Sequence, residues 1–187
     1  MKKPTPCRHG KCMNRRGRYK CSCSSGWTGP TCQRALRCSP GWKEHNNYCY
    51  MLVKRKVGWS NANDRCKIMS AHLASVKNSQ ENNFIASFVT KAPEGRQKMV
   101  WLGLTGIHKK GPLMWTDGSR VVYKNWAPGE PNNLKIMSLF RGEHCGAMYI
   151  KTYNSWTGKK KKQGHWNDAY CDEPYPFVCK ARTKRPP

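Results

Sequence analysis

Cysteine is the residue that most constrains how this chain can fold. The chain has eleven cysteines among its 187 residues. This density in a small, loop-rich chain is typical of a disulfide framework, which forms in an oxidising compartment and is rare in the cytosol. We therefore expect a secreted, extracellular protein. The first residues contain no apolar segment that could serve as a signal peptide, so we expect a mature form or a fragment.

The charge of the chain is strongly one-sided. There are 35 lysines and arginines against 10 aspartates and glutamates, a formal net charge of +25 at pH 7. Outside the cytosol this charge favours sulfated or phosphorylated glycans, acidic microbial surfaces or mineral as partners, rather than nucleic acid. The most apolar uncharged stretch, around residues 99–107, is far shorter than the roughly 20 residues that span a membrane, so we expect no membrane insertion.

Five cysteines lie close together in an N-terminal segment without acidic residues. Their spacing is C-x4-C-x8-C-x-C-x8-C, and the last loop contains the turn-forming sequence Gly26-Trp27-Thr28-Gly29. Zinc could compete for such thiols, but the third and fourth cysteines are separated by one residue, which is less than the usual spacing of zinc ligands. The five residues are Cys7, Cys12, Cys21, Cys23 and Cys32.

Residues 1–32 resemble an EGF-like module that lacks the first of its six cysteines. The resemblance implies a small all-β module, and it leaves Cys12 without its partner. Calcium-binding members have acids before the first cysteine and growth-factor members have an arginine before the last one, where this chain has Thr31. We therefore expect a rigid spacer, followed by a linker at residues 33–37. The bridges that the resemblance implies are Cys7–Cys21 and Cys23–Cys32.

Mixed secondary structure is predicted for the rest of the chain. Helical spacing of apolar residues indicates a helix over residues 59–70 and a second from an N-cap at Ser79 to about Thr90. The Asp117-Gly118 pair indicates a hairpin turn. A long irregular stretch, residues 125–165, is expected to be functional, since loops of that length in compact domains are usually either functional or disordered. Short strands are predicted at residues 99–104, 113–115, 121–123 and 147–150.

The same C-terminal half concentrates hard oxygen donors. Half of the ten acidic residues lie between positions 130 and 173. Three carboxylates and two carboxamides stand in motifs that hold no soft ligand, and flexible sets of 6 to 8 oxygens suit Ca²⁺ better than Mg²⁺. An X-Pro bond can be cis, and a cis bond before Pro131 would turn two of these side chains towards one point. The five donors are Glu130, Asn132, Glu143, Asn167 and Asp168.

Four of the five donors lie in the motifs Glu130-Pro131-Asn132 and Trp166-Asn167-Asp168. Together with six cysteines and Trp101-Leu-Gly-Leu104, these motifs resemble the long form of the C-type lectin domain over residues 38–180. The resemblance implies an α+β, disulfide-rich fold with two helices, small antiparallel sheets and a long calcium-site loop. A basic tail, residues 181–187, would follow. The bridges that it implies are Cys38–Cys49, Cys66–Cys179 and Cys145–Cys171.

The resemblance also implies a function. It assigns all five donors to binding both Ca²⁺ and sugar, and its Glu-Pro-Asn form implies mannose, N-acetylglucosamine, glucose or fucose as ligands. The accessory calcium site of the family does not carry over, so we expect one Ca²⁺. The acidic positions of that accessory site are occupied here by Gly106, Lys110, Asn133 and His144.

The favoured interpretation is therefore a secreted calcium-dependent lectin that is not an enzyme. Glu130 and Glu143 could form a glycosidase pair, but both match calcium positions of the family. Two alternatives stay open: a charge-driven binder of sulfated glycans or mineral matrix, and an adhesion fragment that binds protein. Because one open sugar site binds at about millimolar strength, we expect an oligomeric parent or a second contact.

The run Lys159–Lys162 is a candidate for that second contact. It lies in an insertion between Cys145 and Cys171, and four adjacent lysines are expected to project into water. They either serve solubility or contact anionic groups of a glycan. His144 and His165 flank the donors and are expected to be solvated loop residues or, alternatively, a pH sensor.

Overall fold

The computed structural model divides the chain into two compact units. One comprises residues 1–49 and 182–187, and the other comprises residues 50–181. The domain limits given above stay predictions. The predictions for Gly26, Lys110 and the end of the tail lie outside the described residues. The residues described are 6–15, 18–24, 27–35, 37–93, 98–107, 113–134, 142–155 and 158–183.

The first unit is built from short strands. Strands β1 (Gly10–Arg15) and β2 (Arg18–Cys23) form an antiparallel pair, and β3 (Trp27–Thr28) pairs with β4 (Arg34–Ala35). Strand β5 (Lys43–His45) is followed by a two-residue turn with positive φ at both positions, a conformation that asparagine tolerates. The all-β character predicted for the N-terminal module is therefore present.

Disulfides hold this unit together. The bridges are the pairs that the two resemblances imply, and Cys12 is a free, exposed cysteine. The Sγ atom of Cys12 lies 2.7 Å from that of Cys7, because Cys12 stands opposite Cys21 in the β1–β2 pair. The bridges of the unit are Cys7–Cys21, Cys23–Cys32 and Cys38–Cys49.

The second unit contains the helices and one central sheet. Neighbouring strands of this sheet follow the order β13-β10-β8-β14-β6, with β7 on β14 and β9 on β8. Most pairs are antiparallel, and β8 and β14 are parallel. The elements are β6 (Tyr48–Val57), α1 (Trp59–Ile68), β7 (His72–Leu73), α2 (Ser79–Val89), β8 (Met99–Thr105), β9 (Met114–Trp115), β10 (Cys145–Tyr149), β11 (Tyr153–Asn154), β12 (Lys160–Lys161), β13 (Trp166–Ala169) and β14 (Tyr175–Arg182).

Both predicted helices are present. Helix α1 buries Cys66, which forms a disulfide with Cys179 in β14. The two cysteines are 113 residues apart in the sequence. For a loop of this length, the chain-entropy model gives about 4–5 kcal/mol of stabilisation. Helix α2 begins one residue earlier than predicted, because the N-cap is Asn78 and not Ser79. The side-chain oxygen of Asn78 accepts a hydrogen bond of 2.9 Å from the backbone N–H of Glu81.

The predicted strand at residues 121–123 is wrong. The turn at Asp117-Gly118 forms, with Gly118 at φ 80°, but the returning segment makes only an isolated bridge between Met114 and Arg120. Val122 is 78% exposed, and Tyr123 packs its ring against Trp166. The described residues show no ladder partner for positions 121–123.

The stretch at residues 125–165 contains more structure than predicted. Besides β10 it includes a two-stranded antiparallel ribbon, in which Tyr153 of β11 stands opposite Lys161 of β12 and Asn154 stands opposite Lys160. The bridge Cys145–Cys171 closes this region. Across the described residues, no helix has the length and apolar character that a membrane crossing requires.

Candidate functional site

Strand β13 carries two of the predicted donors and is anchored by Trp166, whose side chain is fully buried. Its indole Nε1 donates to Asn82 Oδ1 over 2.8 Å. Three aromatic rings meet the indole edge to face at centroid distances of 5.5–5.9 Å: Trp115, Tyr123 and Trp126. The core thus fixes the start of β13 before the polar residues Asn167 and Asp168 begin.

Strand β10 holds β13 in register. Gly146 stands opposite Asp168, and Ala147 stands opposite Asn167. A Cβ atom at Gly146 would lie 2.6 Å from Leu104 Cβ, so only glycine permits this approach. Asn167 and Asp168 are both buried, with Asp168 at 0% exposure. A buried carboxylate requires compensating donors or a cation.

The Glu130 loop is docked onto the same strand. Ala127 donates its N–H to the carbonyl of Trp166 over 2.8 Å, and Glu130 donates to the carbonyl of Ala127 over 2.9 Å. The Glu130–Pro131 bond is cis. Glu130 therefore lies at the end of β13, although 38 positions separate it from Asp168 in the sequence.

Backbone N–H groups of this loop donate hydrogen bonds to the carboxylates. Asn132 and Asn133 donate to the two carboxylate oxygens of Asp168 over 3.2 and 2.7 Å. Leu134 donates its N–H to Glu143 Oε2 at 3.1 Å and to Asn132 Oδ1 at 2.8 Å. The loop and both carboxylates thus share one hydrogen-bond cluster.

The remaining predicted donors join this cluster. The Asn132 amide donates to Glu130 Oε2, and the Asn167 amide donates to the carbonyl of Asp168. Asn167 Oδ1 accepts a hydrogen bond of 2.8 Å from the hydroxyl of Tyr149. The structure therefore brings all five sequence-predicted residues together.

The cluster carries an excess of negative charge. Burial, followed by the charges of Asp168 and Glu130, raises the pKa of Glu143 to about 8. A carboxyl group is perturbed in this way when like charges share a site that lacks enough positive charge. A divalent cation would relieve this repulsion.

The donor set fits Ca²⁺ chemically. All five donors are hard oxygens, and Asn133 Oδ1 beside them is buried without a hydrogen-bond partner among the described residues. Ligands on opposite sides of a Ca²⁺ lie at most about 5 Å apart. In the described part of the chain, the oxygens of these three carboxylates do not all lie within 4.8 Å of one another. They are therefore further apart than the ligands of one Ca²⁺. Coordination would require these side chains to turn inward.

Two residues that contact the donors were not predicted from the sequence. Lys161 Nζ forms an ion pair of 2.8 Å with Glu130 Oε1, and Tyr149 makes the hydrogen bond to Asn167. The alternation of side chains along a strand could have directed Lys161 inward, once β12 was recognised. No pattern in the sequence marks Tyr149.

The prediction that all four lysines project into water is therefore wrong for Lys161. Its side chain is 14% exposed, whereas Lys159, Lys160 and Lys162 are exposed.

The flanking histidines differ from solvated loop residues as well. His144 is half-buried, with Nδ1 placed 3.0 Å from the carbonyl of Ile107. His165 is also half-buried, and burial followed by the charge of Lys162 lowers its pKa below the usual value. The pH-sensor alternative stays a prediction.

Comparisons with known proteins give matches in both units. The family model for the lectin C-type domain matches residues 55–181, and that for the EGF-like domain matches residues 3–31. The C-type lectin lectoxin-Lio1 of Erythrolamprus poecilogyrus is 34% identical over 151 residues, which cover 79% of this chain and 82% of the relative.

Solved structures that are similar to this chain include C-type lectin domains as well. The carbohydrate-recognition domain of the mouse scavenger receptor C-type lectin is 29% identical, with a TM-score of 0.63, and the match covers 80% of this chain and 100% of that domain. The domain of cow CD23, determined in the presence of a GlcNAc2Man3 oligosaccharide, is 26% identical with a TM-score of 0.63, covering 81% of this chain and 100% of that one.

Proposed function

The chain belongs to the C-type lectin family, and on that basis we propose that it is a secreted protein that binds mannose-type sugars with the help of one Ca²⁺. Domains of this family generally bind Ca²⁺ and carbohydrate, and the relatives are not enzymes. The observation that carries the proposal is the single hydrogen-bonded cluster of five oxygen-donor side chains. Those residues are Glu130, Asn132, Glu143, Asn167 and Asp168.

These residues would act as ligands of the ion and as hydrogen-bond partners of the sugar. Bound Ca²⁺ would supply a Lewis-acidic centre for sugar hydroxyl oxygens. The carboxylates of Glu130 and Glu143 accept hydrogen bonds from hydroxyl groups, and the amides of Asn132 and Asn167 donate to hydroxyl oxygens. One donor and one acceptor at each hydroxyl make the site selective for the orientation of two neighbouring hydroxyls.

The order of carboxylate and amide supports a mannose-type preference. Glu130 precedes Asn132, the arrangement that in this family goes with equatorial 3- and 4-hydroxyls. The similar cow CD23 structure was determined with an oligosaccharide of N-acetylglucosamine and mannose. One sugar should bind with about −4 kcal/mol, near a millimolar dissociation constant, so strong retention requires several sites or a second contact.

A second candidate function, binding of anionic glycans, is favoured by the lysines beside the Glu130 loop. A Cβ atom at Gly129 would lie 3.8 Å from Lys159 Nζ, and Lys160 and Lys162 are exposed in the same insertion. Sulfate or phosphate groups on a sugar held at Glu130 would lie within reach of this positive charge. Such contacts are screened as salt rises, since the Debye length falls from about 10 Å at 0.1 M to about 3 Å at 1 M.

Retention on mannose resin tests the main proposal. We expect retention in Ca²⁺ and elution by a chelator or by free mannose. Exchanging the two donors, with Glu130→Gln and Asn132→Asp, should lower retention on mannose at least tenfold and favour galactose. The matched control is Asp64→Asn, which removes one charge from an exposed pair on α1 and should leave retention unchanged.

Two results would contradict the proposal. Retention that persists in chelator would exclude calcium-dependent sugar binding. Retention abolished by 1 M salt but not by chelator or free mannose would instead support the charge-driven alternative.

A further inference from the structure

Lys161 differs from its three lysine neighbours in where its charge lies. Its Nζ atom is 2.8 Å from Glu130 Oε1, and the Glu130 side chain is only 5% exposed. The other oxygen of Glu130 accepts from the Asn132 amide. Both oxygens of this carboxylate are therefore engaged by the protein itself.

Lys161 also lies near Tyr149, a second residue that contacts the donor cluster. Its ammonium lies 5.5 Å from the centroid of the Tyr149 ring, and the hydroxyl of that ring donates to Asn167 Oδ1. A cation over an aromatic face is attracted by the ring quadrupole. One side chain thus contacts Glu130 directly and Asn167 through Tyr149.

The β11–β12 ribbon explains why Lys161 and Lys160 point in opposite directions. Lys161 pairs with Tyr153, whereas Lys160 pairs with Asn154, and successive side chains of a strand point to opposite faces. Ser155 donates its N–H to the carbonyl of Lys159 over 2.9 Å and closes the ribbon at its loop end. The ribbon therefore holds Lys161 in place and directs Lys160 into water.

We propose that Lys161 is a built-in counter-ion of Glu130 that Ca²⁺ must displace, so that this residue sets the calcium affinity of the site. The inference rests on the proposed function, because it assigns a regulatory residue to the same site. The Lys161 ammonium occupies one lone pair of Glu130 Oε1 and places a positive charge beside the position that a metal ion would take. Ca²⁺ therefore binds at the expense of the Lys161–Glu130 pair.

Calorimetric titration with Ca²⁺ tests the proposal on the whole chain. Replacing Lys161→Met keeps an apolar stem over the Tyr149 ring and removes the competing charge. We expect about fivefold to tenfold tighter calcium binding, because the Coulomb repulsion between the ammonium and the ion is removed. The matched control Lys160→Met removes the same charge from the same ribbon at an exposed position, and its calcium affinity should stay within about twofold of wild type.

A second measurement needs no variant. Amine acylation of the wild-type chain, followed by peptide mass spectrometry, compares Lys161 with Lys160 as an internal reference. In chelator Lys161 should react several times more slowly than Lys160, because it is 14% exposed. In saturating Ca²⁺ this protection should be lost.

The outcomes separate the two proposals. If wild type binds Ca²⁺ but Lys161→Met does not bind more tightly, or if Lys161 stays protected in Ca²⁺, the counter-ion role is refuted and the lectin function stands. If only Lys161→Met binds Ca²⁺, the counter-ion role stands and calcium-dependent binding by the wild type is refuted. If neither binds, both proposals fail.

Discussion

The most informative stability experiment concerns the buried pair Glu81–Lys180, which joins α2 to β14. The exposed fractions of these two side chains are 7% and 3%. Glu81 also accepts hydrogen bonds from the Tyr50 hydroxyl and from the N–H of Lys77, the latter at 2.7 Å. Lys180 donates to the carbonyl and the hydroxyl of Ser75, at 3.1 and 3.0 Å. Both charges are thus fully partnered.

Glu81→Met should lower the free energy of unfolding by about 3–5 kcal/mol, since it leaves the Lys180 ammonium buried and without its counter-charge. Lys180→Met should cost a similar amount for the converse reason. The double variant should cost less than either single one, because an uncharged pair of similar volume leaves no isolated ion. Losses of this size are a large fraction of the 5–15 kcal/mol by which domains are typically stable, so each single variant should unfold at a clearly lower urea concentration.

Urea unfolding followed by tryptophan fluorescence, with all disulfides intact, measures these differences. The control is Asp64→Met, which breaks a surface pair with Lys67 of 3.3 Å and should cost less than about 0.5 kcal/mol. If Glu81→Met costs less than about 1 kcal/mol, or if the double variant costs as much as the two single variants added, the reasoning about the buried charge is wrong.

Two further predictions concern stoichiometry. Calorimetry should give one Ca²⁺ per chain, because the accessory calcium positions of the family hold no acid at Gly106, Lys110, Asn133 or His144; a fit that requires two tight sites would contradict this. Alkylation without reductant should modify one thiol per chain, and peptide mapping should place it at Cys12, which is exposed and unbridged. Detection of Cys12 in an internal disulfide would mean that the pairing of the N-terminal unit is different.

The cysteine frame and the donor motifs could be recognised from the sequence for a common reason. The spacing of the cysteines and short motifs such as Glu130-Pro-Asn132 are defined by the order of residues along the chain, which does not depend on the packing around them. The two helices were also predictable, because the spacing of their buried residues follows the helical period.

Interactions between distant segments could not be predicted in that way. Residues 121–123 have the composition of a strand, but the Tyr123 ring packs against Trp166 and Val122 faces water, so no ladder forms. The N-cap of α2 shifted by one residue because Asn78, and not Ser79, reaches the N–H of Glu81. Each outcome depends on a partner that composition alone does not identify.

The sequence by itself determined which chemistry this protein has available: a disulfide frame, five oxygen donors and a large excess of positive charge. Only the tertiary structure decided where that charge lies relative to the donors. Four identical lysines are equivalent as a sequence, but the pleat of β12 turns Lys161 towards Glu130 and Lys160 to the exposed face. The physical reason is that the direction of a side chain depends on strand pairing, and its energy depends on the charge that the fold places opposite it.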